Sequence, residues 1–459
     1  MQPISIKEIL EVTQGTLLCG DSNQDILHVS TSSRNIKEKS LFIPIKGEKL
    51  DGHDFIRDAF ENGAVATLTE KTDLDTKYGV FIKVNDTRDS LQKLAAHYRR
   101  RFKNIDIIGI TGSVGKTTTK EMVASALSLG LDVMKTEGNY NSQIGLPLTM
   151  FKISDNNDVG IIEMGMSEFG EMARLASIAL PNKAVITNIG ISHIENLKTQ
   201  ENILSEKLHI IDSFDENGIL FLNGDDEHLK TLKDKINAKV IYFGTQENCD
   251  YIAKDIDSDG DSTTFKLVYP DGTDTIRIPT LGIHNVYNAL AAIAVAISEN
   301  LSIEQIKNGL LTYSGIAMRQ QIHKINGITI IDDSYNASPD SMKSAINVLI
   351  EMKGEGRNIA VLADMLELGE KSEEEHFKLG QYAAYNNVDV VIAIGNRAKN
   401  LVNGVISVTN NSIAKSFDSN EDAIQYLLSV LSKGDKVLVK GSRGMHTEEI
   451  VNSVINYIK

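Results

Sequence analysis

The chain has 459 residues, of which 41% are hydrophobic and 24% are charged, and its formal net charge at pH 7 is −15. This length is too great for one hydrophobic core, and a prior of about 150 residues per domain predicts about three domains. The negative charge argues against a general nucleic-acid or anionic-membrane binder, although a local basic site could still hold phosphates. Two cysteines are too few for a disulfide framework or a cysteine-based metal site, which favours a reducing compartment.

The start of the sequence, MQPISIKEILEV, lacks the apolar core of a secretory signal peptide. No stretch approaches the ~20 apolar residues that are needed to span a bilayer. We therefore expect a cytoplasmic protein that binds neither membranes nor nucleic acids, and we take a monomer as the default oligomeric state.

Residues 1–102 are predicted to form a small α/β domain. Short helices and strands are expected near Ile6–Glu11, Leu41–Pro44, Asp54–Asn62, Val65–Leu68 and Asp89–Arg101. The loops between them carry polar residues that could bind a ligand, namely Ser33, Arg34, Lys46, Gly47 and Asp51. Polar residues in loops are more often part of an ordinary surface, so the pattern alone leaves their role open.

A strand, a glycine-rich turn and a helix follow one another between Ile105 and Leu129. The turn consists of Gly112, Ser113, Val114, Gly115, Lys116, Thr117 and Thr118. This arrangement is typical of phosphate binding, because glycines let backbone N–H groups point at phosphate oxygens and the helix N-terminus adds positive potential. Lys116 is then expected to reach the β- and γ-phosphates of ATP, and Thr117 to bind Mg²⁺. Ile110 replaces the first glycine of the strict pattern, so an ordinary loop is the alternative.

The rest of residues 103–315 predicts a central, mostly parallel sheet with helices on both faces. The expected elements are strands at Val159–Glu163 and Ala184–Ile189, an antiparallel hairpin of Thr263–Tyr269 and Thr275–Ile278, and helices at Glu201–Asp212 and Asn285–Ser298. Polar residues follow the C-terminal ends of successive strands, where open parallel sheets bind ligands.

Three residues of this domain are candidate metal ligands, and each has a simpler alternative. Glu163 offers the carboxylate oxygen that Mg²⁺ prefers, or it is a solvated strand end. His193 offers a second ligand, but Mg²⁺ is usually bound by oxygen and a single histidine is more often structural. Lys207 has glutamates nearby on its helix and also reads as a surface lysine.

Polar residues on either side of position 315 have two interpretations as well. Asn285 and Asn288, three residues apart at the start of an Ala-rich helix, either cap that helix or contact a nucleotide base. Arg319 is either a structural ion-pair partner or a charge that reaches the γ-phosphate. The segment 332–339, which includes Asp333 and Asn336, is too polar to end a buried strand for packing reasons, so we favour a functional role for it.

Residues 316–459 are predicted to form a third, Rossmann-like α/β domain with a second parallel sheet. Its expected strands are Ile328–Asp332, Ile359–Leu362, Val388–Ile394 and Lys436–Val439. Their C-terminal ends carry Asp333, Asn336, Asp364 and Ser442, which indicates a second functional edge.

The motifs of the chain, taken in order, resemble those of the Mur ligase family, the ATP-dependent amino-acid ligases of cell-wall synthesis. They are TGSVGKTT at 111–118, ITNIGISHIE at 186–195, GIHNVYNALAA at 282–292 and DDSYNASPDSM at 332–342. Further stretches resemble the branch of the family that joins D-alanyl-D-alanine to UDP-N-acetylmuramoyl-tripeptide. They are TSSR at 31–34, LFIPIKGEKLDGHDF at 41–55, NYNSQIGLP at 139–147, LADMLELG at 362–369 and VKGSRGMHTEEIV at 439–451.

This resemblance implies a ligase that forms an acyl phosphate from ATP and the tripeptide carboxylate, with Mg²⁺ bound by Thr117, Glu163, His193 and a carbamylated Lys207. It implies catalytic roles for Lys116, Lys207, His193 and Arg319, and adenine or closure contacts for Asn285, Asn288 and Asp333. The implied substrate contacts are the polar N-terminal loop residues, Asn139 and Asn141 for the UDP-linked substrate, and Asn336, Asp364 and Ser442 for the dipeptide. At two neighbours of Lys207 the sequence departs from the family, which frequently has a small residue in place of Glu206 and an acid in place of His209.

Three alternatives remain. A sister ligase adds the third amino acid of the peptide, and a folylpolyglutamate-type ligase shares the phosphate loop and the lysine but not the uridine-nucleotide domain. A non-catalytic, ATP-gated binding module is opposed by the presence of Lys116, Thr117, Glu163, His193 and Lys207 together. The resemblance leaves open whether lysine or diaminopimelate is the third residue of the tripeptide. We expect the third domain to move on a hinge near Ser314–Arg319, where Gly315 permits unusual backbone angles.

Overall fold

The computed structural model describes residues 1–233, 235–409 and 411–459. The chain divides into two compact units, each described by itself. Unit 1 consists of Met1–Thr111, Gly130–Val185 and Glu206–Leu220, and unit 2 of Gly112–Leu129, Ile186–Ser205 and Phe221–Lys459. The predicted α/β class with three separate main sheets is confirmed, since the described strands form sheets of five, nine and six strands and a two-stranded ribbon. The domain boundaries at 102/103 and 315/316 stay predictions.

The N-terminal part of unit 1 is a small α/β structure. Its strands are β1 (Ile4–Ser5), β2 (Thr16–Cys19), β3 (Asp25–Ile26), β4 (His28–Ser30), β5 (Ser40–Phe42), β6 (Ala64–Thr69) and β7 (Val80–Lys83), and its helices are α1 (Ile6–Thr13), α2 (Ile56–Glu61) and α3 (Thr87–Arg99). Strands β2-β7-β6-β5-β4 form the five-stranded sheet, in which only the β2–β7 pair is antiparallel. Helix α1 begins where the Ser5 side chain accepts a hydrogen bond from the Glu8 N–H, an N-cap that the sequence signals locally.

The second sheet has nine strands. They are β8 (Asp106–Thr111), β9 (Val133–Lys135), β10 (Val159–Glu163), β11 (Lys183–Ile186), β12 (Ile219–Asn223), β13 (Lys239–Gly244), β14 (Tyr251–Ser258), β15 (Thr263–Tyr269) and β16 (Gly272–Ile278). Its helices are α4 (Lys116–Leu127), α5 (Gly145–Met150), α6 (Glu171–Ala179), α7 (Ile194–Leu197), α8 (Gln200–Leu208), α9 (Ile283–Ser298) and α10 (Ile303–Leu311). The strand order is β16-β15-β14-β13-β12-β11-β8-β10-β9.

Pairing within this sheet follows the prediction. In unit 1, β10 is parallel to both β8 and β9. In unit 2, β15 and β16 form the predicted antiparallel hairpin, and β14 pairs with β15 in the same sense. Strand β8 and all five residues of β10 are buried except for the partly buried Asp106, which explains why they read as continuous apolar runs.

The C-terminal sheet lies in unit 2. Its strands are β17 (Gln321–Ile325), β18 (Ile328–Asp332), β19 (Asn358–Ala363), β20 (Val390–Ile394), β21 (Ile413–Phe417) and β22 (Lys436–Lys440), and its helices are α11 (Pro339–Glu351), α12 (Ser372–Tyr385), α13 (Lys399–Val408), α14 (Asn420–Val430) and α15 (Glu448–Ile458). The order is β17-β18-β22-β19-β20-β21. The prediction of a parallel sheet is wrong for one edge, because β17 pairs with β18 in antiparallel fashion. The remaining pairs are parallel.

Successive side chains along the strands of this sheet pack alternately into two hydrophobic clusters. Ile331, Ala360, Leu362, Val391 and Leu438 belong to one cluster, and their neighbours Ile330, Ile359, Val361, Ile392 and Val439 to the other. Because successive strand residues point to opposite faces, this alternation buries both faces of the sheet and leaves its strand ends for polar residues. In the described part of the chain no helix is both long and apolar enough to cross a membrane.

Candidate active site

The glycine-rich turn connects β8 to α4, as predicted. Gly112 and Gly115 have φ angles of +149° and +88°, which side chains rarely allow. A Cβ atom on Gly112 would overlap the hydroxyl of Thr187, and one on Gly115 would lie 3.0 Å from Asn288 Oδ1. The turn therefore keeps its shape only with glycine at both positions.

Residues 187–190 of unit 2 brace this turn. The Asn188 side chain accepts a hydrogen bond from Val114 N at 2.9 Å and donates one to Val114 O at 3.0 Å. Ser113 N donates to Asn188 O at 3.1 Å, and Ser113 Oγ accepts from Gly190 N at 2.9 Å. Thr187 Oγ1 also donates to Val114 O. The segment ITNIG therefore positions the phosphate loop.

Lys116 is the first residue of α4, and its ammonium lies over the turn. Its Nζ donates to Gly112 O at 2.7 Å and to Ser113 O at 3.4 Å. Gly115, which precedes the helix, has no side chain to cap the first N–H groups. Positive charge and a helix N-terminus at a glycine turn form a site that fits the phosphates of a nucleotide, as the sequence predicts.

Glu163 and Asn141 come together in unit 1. Asn141 Nδ2 donates to Glu163 Oε1 at 2.7 Å, and Glu163 N donates to Thr136 Oγ1 at 3.0 Å. Glu163 is 2% exposed, so the alternative of a solvated strand end is wrong. Asn139, in the same loop, is exposed.

Lys207 lies in α8 and is only 3% exposed, so the alternative of a surface lysine is wrong. Its neighbour Glu206 is also buried and accepts hydrogen bonds from Gly170 N at 3.0 Å and Met172 N at 2.9 Å. A carboxylate at these N–H groups stabilises the start of α6, which has no side-chain cap of its own. Glu206, which replaces the small residue that is frequent before this lysine in the family, thus binds the first N–H groups of α6.

His193 contacts Glu367, a residue that the sequence places with Asp364 at the polar edge of the C-terminal sheet. Its Nδ1 lies 2.6 Å from Glu367 Oε2, in the loop after β19, and both residues have positive φ angles of +61° and +64°. The hydrogen bond from His193 lowers the pKa of Glu367, although partial burial opposes the shift. One ring nitrogen of His193 is therefore engaged within unit 2. The only feature of the sequence that pointed to Glu367 is that an acidic residue follows the end of a predicted strand by a few positions.

Asn285 and Asn288 of α9 are buried and belong to a hydrogen-bond chain. Asn288 Nδ2 donates to Asn285 Oδ1 at 3.1 Å, and Asn288 Oδ1 accepts from Thr119 Oγ1 of α4 at 2.9 Å. The residue at the N-cap of α9 is Gly282, so neither asparagine has the capping role offered as one alternative. Their side chains instead hold α9 against the helix of the phosphate loop. A base contact stays a prediction.

Arg319 stacks on an aromatic ring. Its guanidinium carbon lies 4.1 Å from the centroid of the Tyr335 ring. In residues 1–233, 235–409 and 411–459 no carboxylate forms an ion pair with it, so the alternative of a structural ion-pair partner finds no support. Asp333, by contrast, pairs with the buried Lys440 at 2.6 Å, and its Oδ1 accepts from Gln320 N at 3.2 Å.

The structure brings Asn336, Asp364 and Ser442 to one edge of the C-terminal sheet. Ser442 N donates to Asp364 O at 3.2 Å, and the neighbouring Arg443 N donates to Asn336 Oδ1 at 3.4 Å. Asp364 Oδ1 accepts two backbone N–H groups, from Arg397 and Ala398, at 3.0 and 2.7 Å. Asp364 and Ser442 are buried and hold the loops of this edge, whereas Asn336 is exposed.

The N-terminal candidates occupy loops after β4 and β5. Ser33 and Arg34 form a 3₁₀ turn, and Ser33 O accepts a hydrogen bond from Asn62. Lys46 pairs with Asp51 in an isolated antiparallel bridge that encloses Gly47. Hydrogen bonds from the His53 backbone and ring, together with Lys71, hold the pKa of Asp51 well below its usual range, although burial opposes them. Asp51 is thus a brace of this loop.

One buried histidine of helix α12, His376, predicts that the stability of the fold falls in acid. His376 Nε2 accepts from Met365 N at 2.9 Å, and Nδ1 donates to Ser372 O at 2.6 Å, so the ring is neutral. Burial lowers its pKa, although the Ser372 carbonyl and Asp364 oppose the shift. The unfolded state therefore binds the proton more readily. We expect this histidine's contribution to stability to be complete above the unfolded value of about 6.5 and to be lost as pH falls through the lower folded value.

Thermal or urea unfolding of His376→Gln as a function of pH measures this contribution. The variant cannot titrate, so its stability should fall less than that of the native protein as the medium is acidified from about pH 7 to about pH 5.5, the difference being at most about 1.4 kcal/mol per pH unit. His446→Gln, at an exposed histidine of the same sheet domain, is the matched control. Parallel pH profiles for the native protein and His376→Gln would show that His376 does not cause acid sensitivity.

In the described part of the chain, no group of three or more His, Cys, Asp or Glu residues is arranged to hold a metal ion. The predicted ligands are, by chemistry, one hydroxyl (Thr117) and one imidazole (His193) in unit 2 and one carboxylate (Glu163) in unit 1. Mg²⁺ binds with few protein oxygens when phosphate and water supply the others. This donor chemistry fits Mg²⁺ held together with a nucleotide.

Three family models match the chain. They describe the Mur ligase family catalytic domain at residues 25–99, the Mur ligase middle domain at 110–296 and the Mur ligase glutamate ligase domain at 318–443. The UDP-N-acetylmuramoyl-tripeptide–D-alanyl-D-alanine ligase of Bacillus subtilis (strain 168) is 37% identical over 454 residues, which cover 98% of both chains.

Two solved structures are similar to the chain over nearly its whole length. MurF of Acinetobacter baumannii superposes with a TM-score of 0.92 at 29% identity and 99% coverage of both chains. The MurF ligase of Thermotoga maritima, solved in complex with ADP, superposes with a TM-score of 0.83 at 29% identity, covering 94% of this chain and 97% of the other.

Proposed function

Because this chain belongs to the Mur ligase family, we propose that it joins D-alanyl-D-alanine to UDP-N-acetylmuramoyl-tripeptide in an ATP-dependent reaction of peptidoglycan synthesis. The observation that carries the proposal is the similarity over 98% of the chain to a ligase of that name. The glycine turn with Lys116 at the start of α4 supports ATP as the energy source, as does the ADP complex of the Thermotoga relative.

The reaction has two steps. A carboxylate oxygen of the tripeptide attacks the γ-phosphorus of ATP, which breaks the bond to the β-phosphate oxygen and gives an acyl phosphate and ADP. The amine of D-alanyl-D-alanine then attacks the acyl carbon, and the tetrahedral intermediate loses inorganic phosphate and a proton. Several anionic groups must meet, so the protein contributes mainly positive charge and positioning.

Residues near the phosphate loop are suited to these tasks. Lys116, whose Nζ lies over the glycine turn, would neutralise the β- and γ-phosphates, and Arg319, which stacks on Tyr335, would supply a second positive charge for the transferred phosphoryl group. Thr117 and Glu163 would hold Mg²⁺ with phosphate oxygens, and His193 and a carbamylated Lys207 would assist a second ion. Bound Mg²⁺ supplies charge neutralisation of the transferring phosphoryl group. The Asn188 contacts fix the loop against which the nucleotide lies.

Substrate recognition is assigned to the five-stranded N-terminal sheet and the six-stranded C-terminal sheet. The loops with Ser33, Arg34 and Asp51 are proposed to hold the uridine nucleotide. The edge with Asp364 and Ser442 is proposed to receive the dipeptide. The predicted domains 1–102, 103–315 and 316–459 would then contribute one function each: substrate, ATP and incoming amine.

The experiment that tests the proposal measures phosphate release from ATP with the UDP-linked tripeptide, with and without D-alanyl-D-alanine. We expect release to require both substrates and the pentapeptide product to be seen by mass spectrometry. Tripeptides ending in lysine or in diaminopimelate, tested separately, identify the accepted third residue. The chain would be assigned to the sister ligase if no phosphate were released with D-alanyl-D-alanine, but phosphate were released with a UDP-linked dipeptide and a free diamino acid.

We also propose that the enzyme is cytoplasmic and monomeric and that it acts on small molecules. The free cysteines Cys19 and Cys249 suit a reducing compartment. Sedimentation equilibrium of the purified protein tests the monomer, because a second copy would double the measured mass.

A further inference from the structure

Gln320 has an unusually complete set of hydrogen bonds for a residue between a turn and an edge strand. Its Oε1 accepts from Asn285 Nδ2 at 3.0 Å and bonds with His284 Nε2 at 2.9 Å. Its Nε2 donates to Leu281 O at 2.8 Å, and its backbone N donates to Asp333 Oδ1 at 3.2 Å. The side chain of Gln320 thereby binds the start of α9, and its backbone N–H binds Asp333 at the end of β18.

The backbone around this residue is strained. Met318 and Gln320, on either side of Arg319, have positive φ angles of +62° and +51°. Such angles are costly for residues other than glycine and persist where surrounding contacts impose them. Here those contacts are the bonds of Gln320, together with the Tyr335 N–H, which donates to Met318 O at 3.1 Å.

The partners of Gln320 are buried (Leu281 and Asn285) or partly buried (His284 and Asp333). His284 is the residue next to Asn285, and burial lowers its pKa, so the ring is neutral and Nε2–H donates to the amide oxygen. Asn285 is 3% exposed and also bonds with Asn288, which contacts α4 of the phosphate loop. A continuous chain of hydrogen bonds therefore runs from α4 through α9 to Gln320, the neighbour of Arg319.

We propose that Gln320 is a positioning residue for Arg319: it fixes the strained turn so that the guanidinium, stacked on Tyr335, is aimed at the transferred phosphoryl group. The inference rests on the proposed function and adds to it a residue that acts only through Arg319. It also couples the helix α9 side of the nucleotide site to Asp333 at the end of β18. An amide is suited to this place because it accepts from two side chains and donates to a carbonyl at once.

The test is a double-mutant cycle of ligation kinetics with Gln320→Gly, Arg319→Ala and the double variant. Glycine removes the side-chain bonds while relieving the positive φ, so loss of function cannot be ascribed to backbone strain. We expect Gln320→Gly to lower kcat by about 10- to 100-fold, because a small misplacement of a catalytic group is costly. In the Arg319→Ala background the same change should cost less than about threefold, because its effect is transmitted through Arg319. Gln321→Ala, an exposed neighbour on β17, is the control and should keep the native kcat.

A second measurement does not depend on ligation. Trypsin cuts after Arg319 when the turn opens, so Gln320→Gly should be cleaved there faster than the native protein and Gln321→Ala at the native rate. If Gln320→Gly does not fold, Gln320→Asn replaces it, since asparagine tolerates a positive φ but is too short for all three side-chain bonds. Native kcat in the variant, or an equal loss in both backgrounds, would overturn the inference. Inactivity of the native protein with both substrates would instead overturn the proposed function, and the cleavage rates would still report on the turn.

Discussion

Replacing Lys116 with alanine is expected to abolish ligation. The ammonium lies at the N-terminus of α4 and is held over the turn by two carbonyl oxygens, so it is in place before phosphates arrive. Loss of one preorganised charge at the reacting group typically costs about 10²- to 10³-fold in kcat, and here the charge serves both ATP binding and the transition state. The measurement is phosphate release from ATP with the UDP-linked tripeptide and D-alanyl-D-alanine.

The matched control for this experiment is Lys103→Ala, at an exposed lysine shortly before β8. It removes the same charge from the same region of sequence and should leave turnover at the native rate. Calorimetry with ADP supplies a second readout, in which Lys116→Ala should bind more weakly than Lys103→Ala. If Lys116→Ala ligates at nearly the native rate, the turn is an ordinary loop, which is the alternative that the missing first glycine left open.

The central elements were predictable because their signals are local. Strand β10 ends at the predicted residue, Glu163, and β15 and β16 cover the two predicted strands of the hairpin. A buried strand, a glycine turn and a helix can each be recognised from residues that are adjacent in the sequence. The same holds for the glycines of the phosphate loop, whose φ angles the motif implies.

The edges of the sheets were harder to predict. Strands β17 and β21 have mostly exposed or partly exposed side chains, and neither shows the apolar run of a buried strand. An edge strand is defined by its partner rather than by its own composition. Strand β17 was not among the predicted strands. Its antiparallel sense follows from its short connection to β18.

Tertiary burial and pairing supply information on the site residues that the sequence does not contain. Lys207 and Glu163 have polar side chains that a sequence places at a surface, whereas tertiary packing leaves them 3% and 2% exposed. The partners of His193 and Gln320 lie far along the chain, so no spacing rule identifies Glu367 or Asn285 as their neighbours. The predicted hinge at Ser314–Arg319 includes Met318 but ends one residue before Gln320, because positive φ at a glutamine has no sequence signal.

Lys207→Ala is expected to lose most activity and to regain part of it with short carboxylic acids. If CO₂ adds to the neutral amine of Lys207, an N–C bond forms, a proton leaves and the side chain ends in a carboxylate that can face a metal ion. Acetate or propionate would supply that carboxylate in the space left by the substitution. Lys207 is only 3% exposed, so carbamylation would place a carboxylate inside the protein, where a metal ion could neutralise it.

Three comparisons separate this chemistry from a purely structural lysine. Lys207→Arg keeps a cation but cannot be carbamylated, so it should be inactive and show no carbamate signal after addition of ¹³C-bicarbonate, whereas the native protein should show one by NMR. Lys239→Ala, at an exposed lysine, should behave as the native enzyme with or without carboxylic acids. Failure of rescue, together with native activity that does not respond to bicarbonate, would make Lys207 a buried structural residue beside the Glu206 cap of α6.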